Sequence, residues 1–346
     1  MAKRIRVSSD GTNFYTLPGN TGSLSNEAGE IEDTIFGQDF ASTFPGLIAS
    51  EINANGLFKG YAGYITTIKR VGSTTPLTDE PMSLVTGKTY QITADTKRIM
   101  DRSVATTVED DGTPVATSNI ESIDWLFGRV TFVSGYTPTG PITVSGAYFP
   151  TTAVGCTNAF TLTQTANPID NTCMETAQAN DGRRTYEYGL KTVSLELQGI
   201  YKASNGFVAL LQGRSELIIE IDLAADGKNL ARGFFRATNQ EQSGDVGDLE
   251  QETVTFGLSV PDDPSEIIPY PFAWLIDATS TMSNALRTII DAWQDAEEVE
   301  VQYLPNGIVG IEATAIVTDI TLTGGLEDMN EFASNFQITG ATTPVS

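Results

Sequence analysis

Histidine is missing from this chain of 346 residues, and cysteine occurs only twice. Without histidine the chain lacks the usual general base and the imidazole that most often binds a metal. The sequence also lacks a Walker A loop, a dinucleotide-binding glycine loop, a serine nucleophile elbow, a cysteine zinc site and an EF-hand loop. These absences predict a protein that is not an enzyme and that needs no cofactor or metal.

Carboxylates, in contrast, are plentiful, so a glycosidase working with carboxylates alone stays open as an alternative. The densest acidic cluster, Glu109-Asp110-Asp111, precedes a Gly-Thr-Pro sequence and is typical of a solvated turn. Cys156 and Cys173 fit a reducing compartment, either as two thiols or as one disulfide.

Positive charge is scarce, since 20 Lys and Arg stand against 44 Asp and Glu for a net charge of −24. A protein that binds nucleic acid tightly needs clustered basic side chains to neutralise phosphates, so this class is disfavoured. The charge is compatible with simple solubility, or with a surface that lets nucleic acid pass without adhesion.

Long apolar runs are also missing, and Phe272–Ile276 is typical of the longest. No run approaches the ~18 residues that span a bilayer, and the basic N-terminal residues lead into Ser8-Ser9-Asp10-Gly11 rather than an apolar signal segment. We therefore expect a protein made in a cytoplasm, with no membrane partner. The length of 346 residues predicts two or three domains, and a hydrophobic content of 40% is typical of a globular protein.

Alternating apolar and polar residues predict a mainly β fold, for example at Val193, Leu195 and Leu197. One helix is expected in each of two repeated units of the chain. The first follows Ser204, and the second follows Ser283 as N-cap, because both precede apolar residues at helical spacing. The apolar positions are Phe207, Leu210 and Leu211 in the first helix, and Leu286, Ile289, Ile290 and Trp293 in the second.

Parts of the chain repeat each other at constant spacing. Gly46-Leu47 and Gly56–Lys59 recur at one spacing as Gly189-Leu190 and Gly199–Lys202. A second match, at a shorter constant spacing, relates positions within Asp226–Leu258 to positions within Asn306–Ile338. One copy is therefore continuous and the other is split, which suggests a protein that builds a symmetric assembly. The predicted domains are 1–65 with 266–346, a β-rich insertion at 66–150, and 151–265.

Carboxylates recur on one face of the predicted strands in both copies. Because alternate residues of a strand share a face, each strand presents an apolar face to the core and an acidic, amide-rich face to water. The face is either an ordinary solvent-exposed surface or the lining of a channel whose charge repels DNA phosphates. The candidate lumen-lining residues are Glu51, Glu196, Glu220, Asp222, Glu298 and Glu300.

Two long polar segments, Thr34–Pro45 and Thr172–Tyr188, occupy corresponding places in the two copies. Segments of this length inside a compact domain either make contacts or are mobile, and both alternatives stay open.

Several stretches resemble the tail tube proteins of long, flexible-tailed bacteriophages. Ile31–Phe40 followed by Phe44–Leu47 is similar to the strand, loop and strand of that family, and Ala313–Ile320 with Gly324–Asn330 is similar to its terminal hairpin. Gly233–Thr238 with Gly247–Glu250 is a looser second copy of the hairpin.

The resemblance implies two tube-like β-sandwich or barrel domains, each with one packed helix, in stacked trimeric, pseudo-hexameric rings around an acidic lumen. It implies contacts between rings through the long loops, and as partners the tape measure, distal tail and terminator proteins. DNA would pass without specific binding during ejection, from a virion tail assembled in the host cytoplasm. The alternative is a β-rich virion decoration or receptor-binding protein. The candidate inter-ring residues are Thr34, Phe36, Asp39, Phe40, Met174, Asp181, Arg183 and Arg184.

Overall fold

The computed structural model describes residues 3–32, 43–57, 66–223, 225–245, 249–260, 271–277, 279–280, 282–325 and 330–346. Among these residues 61% are in strands and 11% are helical, so the fold is mainly β, which confirms the predicted fold class.

Twenty-two strands and three α-helices lie within the described residues. Strands up to residue 92 are β1 (Arg4–Ser8), β2 (Tyr15–Thr16), β3 (Gly19–Glu32), β4 (Thr43–Leu57), β5 (Thr66–Val71), β6 (Thr75–Thr86) and β7 (Thr89–Ile92). There follow β8 (Thr107–Asp110), β9 (Thr113–Pro114), β10 (Ile120–Asp124), β11 (Arg129–Phe132), β12 (Ile142–Tyr148) and β13 (Thr151–Ala153).

The second half begins with β14 (Thr157–Asp170), α1 (Met174–Ala179), β15 (Tyr186–Ile200), α2 (Phe207–Gly213), β16 (Glu216–Leu223) and β17 (Asn229–Ser243). It continues with β18 (Gln251–Leu258), β19 (Phe272–Ile276), α3 (Asn284–Asp295), β20 (Val299–Leu304), β21 (Gly310–Gly325) and β22 (Glu331–Val345).

The chain forms two compact units. Unit 1 comprises Met1–Tyr64, Ala159–Glu196 and Ala278–Ser346, and unit 2 comprises Ile65–Asn158 and Leu197–Asp277. The predicted domain boundaries follow the sequence repeat rather than compactness, and they stay a prediction.

In unit 1, β21 is the central strand. Its first half pairs with β20, its second half pairs with β14 on the same edge, and β22 pairs along its other edge. Strand β4 follows β22, and β3 pairs with β4 as a long hairpin.

Helix α3 of unit 1 confirms the predicted helix and its cap. The Ser283 Oγ accepts a hydrogen bond from the Leu286 amide at 3.3 Å, and the predicted apolar residues are all buried. Because these side chains lie three and four positions apart, they form one stripe, which contacts β1, β20 and β21.

In unit 2, β16 lies between β5 and β17. Helix α2 begins at Phe207, after Ser204 as predicted, and its N-cap is Gly206, which has φ of +68°. Glycine adopts this left-handed conformation without the steric cost that a side chain would impose. Phe207 is the buried anchor, with its ring 5.5 Å from that of Phe256.

Residues 75–148 of unit 2 form a sheet of their own, in the order β10-β11-β7-β6-β12-β8-β9. Its core includes Met100, Val130, Phe132 and Val144. The insertion predicted from the sequence is therefore β-rich in the structure.

Asp110 was expected in a solvated turn, and this expectation is wrong. Its carboxylate is buried and accepts hydrogen bonds from the Tyr136 hydroxyl and from the backbone amides of Thr139 and Gly140, each at 2.8 Å. Burial alone would raise the pKa of Asp110, but these donors favour the ionised form and the pKa lies below its usual value. The carboxylate closes the 134–141 turn.

Candidate functional site

The two long hairpins, β3–β4 and the hairpin formed by β14 and β15, repeat each other in detail. Gly56 and Gly199 each lie against the opposite strand so closely that a side chain would collide with it. A Cβ on Gly56 would lie 2.3 Å from the Pro18 carbonyl oxygen, and one on Gly199 would lie 2.2 Å from that of Cys156. Glycine is therefore required at both positions for the same reason.

The first strands of these hairpins are also copies of each other. Ser23-Leu24-Ser25-Asn26-Glu27-Ala28 in β3 corresponds to Thr161-Leu162-Thr163-Gln164-Thr165-Ala166 in β14. Glycines at position 46 and position 189 set this alignment, because they face the carbonyls of Gly29 and Asn167 respectively. Sequence reasoning missed this match because it relied on a constant spacing. The number of residues that separates β3 from its copy β14 differs from the number that separates β4 from its copy β15, since the loops within the two hairpins differ in length.

Strands β17 and β21 share a β-bulge at equivalent positions. The pairing of β17 with β18 shifts between Ala237 and Asn239, and that of β21 with β22 shifts between Val317 and Asp319. At each bulge a threonine hydroxyl donates to a carbonyl of the partner strand, at 3.1 Å from Thr238 and 3.3 Å from Thr318. A bulge re-aims a strand, so the copies bend alike.

Among the candidate lumen residues, Glu220 lies in a buried ionic cluster. Its Oε1 is 2.8 Å from Lys69 Nζ, and its Oε2 accepts from Arg232 Nε at 2.7 Å. Only 4% of its side chain is exposed. Burial alone would raise the pKa of Glu220, but the two cations lower it below the usual value.

Asp222 is also buried, and both of its carboxylate oxygens accept from the Gly227 amide, at 3.1 and 3.2 Å. Burial raises its pKa above the usual value. The expectation of a solvated acidic face is therefore wrong for β16.

The physical reason is that the inserted sheet and its flanking turns cover that face. Ile218, which points the same way as Glu220 and Asp222, packs in a cluster with Ile99, Leu126 and Phe127. Arg232 Nη1 also donates to the Leu126 carbonyl at 2.7 Å. Period-two alternation shows which residues share a face, but it does not show what a distant segment places against that face.

The remaining candidate carboxylates keep contact with solvent. Glu298 is exposed and directly precedes β20, while Glu51, Glu196 and Glu300 are half-buried. The Glu300 Oε1 accepts from the Thr314 hydroxyl at 2.8 Å. Partial burial, with the neighbouring charges of Glu300 and Glu187, raises the pKa of Glu298. Glu298, Glu300 and Glu187 thus form a local concentration of negative charge in unit 1.

The segment after β14 is anchored to unit 1. The Ile48 amide donates to the Gly182 carbonyl and the Arg184 amide donates to the Ile48 carbonyl, both at 2.9 Å. The Arg183 guanidinium donates to the Ser50 hydroxyl at 2.8 Å, and Arg184 pairs with Asp170 at 2.6 Å. The sequence left open whether this segment makes contacts or is mobile. In the structure it makes contacts, and they are within its own chain.

Of the other candidate inter-ring residues, two are described by the structure and four are not. Met174, at the start of α1, and Asp181 are exposed. Thr34, Phe36, Asp39 and Phe40 lie outside the described residues. Cys156 and Cys173 are exposed free thiols.

Both hairpins expose the same pair of apolar side chains. In the first hairpin they are Ile31, 55% exposed, and Leu47, 37% exposed; their counterparts in the second are Ile169, at 54%, and Leu190, at 75%. Single exposed apolar residues are common on any protein, but the core does not need a pair that recurs at equivalent positions. This repeated apolar pair is a candidate contact surface.

Over the described ranges, no helix is long and apolar enough to cross a membrane. Nor do those residues bring three or more Cys, Asp or Glu side chains together in a way that could hold a metal ion.

No family model matches this chain, and no curated protein matches it in sequence. Among solved structures, a chain of a structure titled "Virion of native gene transfer agent (GTA) particle" is 14% identical, with a TM-score of 0.28; the match covers 32% of this chain and 85% of that one. A chain of "Tail of empty GTA particle computed with helical refinement, C6 symmetry" is also 14% identical, with a TM-score of 0.29 over 32% of this chain and 84% of that one. The function is therefore inferred from the residues of this chain.

Proposed function

We propose that this chain is the structural subunit of a bacteriophage tail tube, in which copies form rings and the rings stack. The repeated apolar pair carries the proposal: Ile31 with Leu47, and Ile169 with Leu190, are exposed at equivalent places of two equivalent hairpins. An apolar surface that occurs twice on one chain and stays partly open to solvent is suited to a partner that also repeats. A second ring of the same chain is such a partner.

The ring itself follows from the duplication. Each chain supplies two long hairpins, so three chains supply six similar positions around an axis. Closing a sheet into a ring removes the exposed strand edges that would otherwise template aggregation. The sequence resemblance to tail tube proteins supports the same arrangement.

We assign the lumen to the carboxylates that reach solvent, namely Glu51, Glu196, Glu298 and Glu300, and no longer to Glu220 or Asp222. A carboxylate enclosed by two cations presents little net charge to a channel. With a net charge of −24 on the chain, a wall of solvated acids would repel DNA phosphates and let DNA slide. In this proposal the tape measure, distal tail and terminator proteins are the partners, and the virion tail is the location.

Electron microscopy of the purified protein tests the proposal. Wild-type protein is expected to form hollow stacked rings, and replacing Leu47 and Leu190 by serine should reduce stacking because the contact loses its apolar surface. Both side chains are substantially exposed, so the fold should tolerate the change. Ile308→Ser is the matched control, because Ile308 is also exposed but lies in a turn outside the repeated pair. Isolated chains or rings that never stack under any condition would contradict the proposal.

A further inference from the structure

The two copies are connected by strand pairing, and the structure shows one such connection in full. Strand β14, which begins the second copy, pairs with β21, which belongs to the first, from Ala159 opposite Gly325 to Thr165 opposite Asp319. On the same edge of β21, the pairing with β20 ends at Ala315 and the pairing with β14 begins at Asp319. We call it the internal pairing.

The equivalent edges of the other two strands have no partner strand within the described residues. Strand β17, the counterpart of β21, pairs with β16 only as far as Arg236, and no strand follows along that edge from Ala237 to Ser243. Strand β3, the counterpart of β14, pairs with β4 alone. The unpaired edge of β17 is therefore equivalent to the β21 side of the internal pairing, and the unpaired edge of β3 is equivalent to the β14 side.

We propose that β3 of one chain pairs with β17 of a second copy of this chain, in the register of the internal pairing. Each pair of the internal pairing is transferred by replacing a β14 residue with its equivalent in β3 and a β21 residue with its equivalent in β17. Thr163–Thr321 then becomes Ser25–Glu241, and Thr165–Asp319 becomes Glu27–Asn239. The proposal rests on the proposed function, to which it adds the strands, the direction and the register of the contact between chains.

Burial agrees with this assignment. Along the internal pairing, every second residue of β14 and β21 is buried, for example Leu162 and Leu322. Their counterparts, Leu24 and Gln242, are half-buried and exposed. The residues that the internal pairing covers are thus uncovered on the two open edges.

The backbone of β3 is oriented for the contact. The Gly22 carbonyl accepts from Lys3 Nζ at 2.7 Å, so this carbonyl points away from β4. Because successive residues of an antiparallel strand point their amides and carbonyls to opposite edges, those of Leu24 and Asn26 also point to the open edge. In the proposed register Glu27 faces Asn239 and Ser25 faces Glu241, so no like charges lie directly opposite.

Disulfide trapping tests the register. In a chain with Cys156→Ser and Cys173→Ser, the pair Ser25→Cys and Glu241→Cys should form covalent oligomers under mild oxidation, in a ladder that ends at three chains. Ser25 does not point its backbone to the open edge, so this is a non-hydrogen-bonded pair, in which the Cβ atoms are closest.

Two further variants serve as controls. Thr163→Cys with Thr321→Cys should form a disulfide within one chain, because these residues are directly paired. Ser25→Cys with Gln242→Cys should crosslink poorly, because a one-residue slip places the side chains on opposite faces.

Micrographs of the same samples separate the two proposals. Stacked rings in which Ser25→Cys and Glu241→Cys stay reduced, or in which the Gln242→Cys pair reacts better, would overturn the register and leave the tube subunit standing. Crosslinked oligomers that never stack would support the edge pairing and contradict the tube. Failure of every sample to assemble or crosslink would overturn both.

Discussion

Replacing Arg232 by methionine should destabilise unit 2 strongly. Arg232 and Glu220 are opposite each other on β17 and β16, with side chains only 6% and 4% exposed, and their closest charged atoms are 2.5 Å apart. Arg232 also lies over the Phe127 ring, 4.9 Å from its centre. Methionine keeps much of the volume but removes the charge and its donors.

The expected cost follows from what is left behind. Removing one partner of a buried ion pair typically costs about 3–5 kcal/mol, because the other charge stays buried without compensation. Lys69 remains 2.8 Å from Glu220, but its side chain is 31% exposed and water screens it, so it compensates only in part. We therefore expect a loss near the lower bound, about 3 kcal/mol. The double variant with Glu220→Gln should lose less, because it leaves no buried carboxylate without compensation, and the Lys69 side chain that loses its partner is 31% exposed to water.

Hydrogen–deuterium exchange measured by mass spectrometry can locate the effect. A loss of about 3 kcal/mol corresponds to roughly 100-fold faster exchange of amides that open together with unit 2. Peptides from β16 and β17 report on unit 2, and peptides from β21 and β22 in unit 1 are the internal reference. Unchanged exchange in β16, or a double variant that is less stable than Arg232→Met alone, would refute the reasoning.

Three other predictions concern single residues. Gly56→Ala should cost about 1–3 kcal/mol in urea unfolding because its Cβ would meet the Pro18 carbonyl, whereas Gly29→Ala, with nothing within 4 Å, should have little effect; equal effects would contradict the close-contact explanation. Folding lowers the pKa of Asp110, so its carboxylate stabilises the fold above the unfolded pKa of about 4 and loses this effect as the pH falls through the lower folded value. The stability difference between wild type and Asp110→Asn should therefore shrink in acid, and a pH-independent difference would count against it. Glu298→Lys should leave assembly intact but slow DNA ejection, and normal infectivity of correctly assembled particles would remove Glu298 from the lumen.

Local patterns in the sequence predicted the features that depend on neighbouring residues. The period of two predicted a mainly β chain, and Ser283 with an apolar stripe three and four residues apart predicted α3 with its cap. The constant spacing between Asp226–Leu258 and Asn306–Ile338 also predicted β17 and β21 as copies, which their shared bulge supports.

Features that depend on distant segments could not be predicted in this way. Glu220 alternates with apolar residues like any solvated strand residue, and only the packing of Leu126 and Phe127 near it shows that the face is covered. Asp110 is likewise buried by donors about 30 positions later in the chain. The equivalence of β3 and β14 could have been predicted from the sequence, but only with an alignment that allows loops of different length.

The open edge of β17 differs from its counterpart in one respect that bears on the proposed assembly. Where β21 carries Ile320 and Leu322, β17 carries Gln240 and Gln242. Apolar side chains are suited to a contact that is made once, as the chain folds, and is never exposed again. Glutamines keep an uncovered edge compatible with water while still allowing backbone pairing, so in the proposed assembly this edge would not cause aggregation before the ring closes.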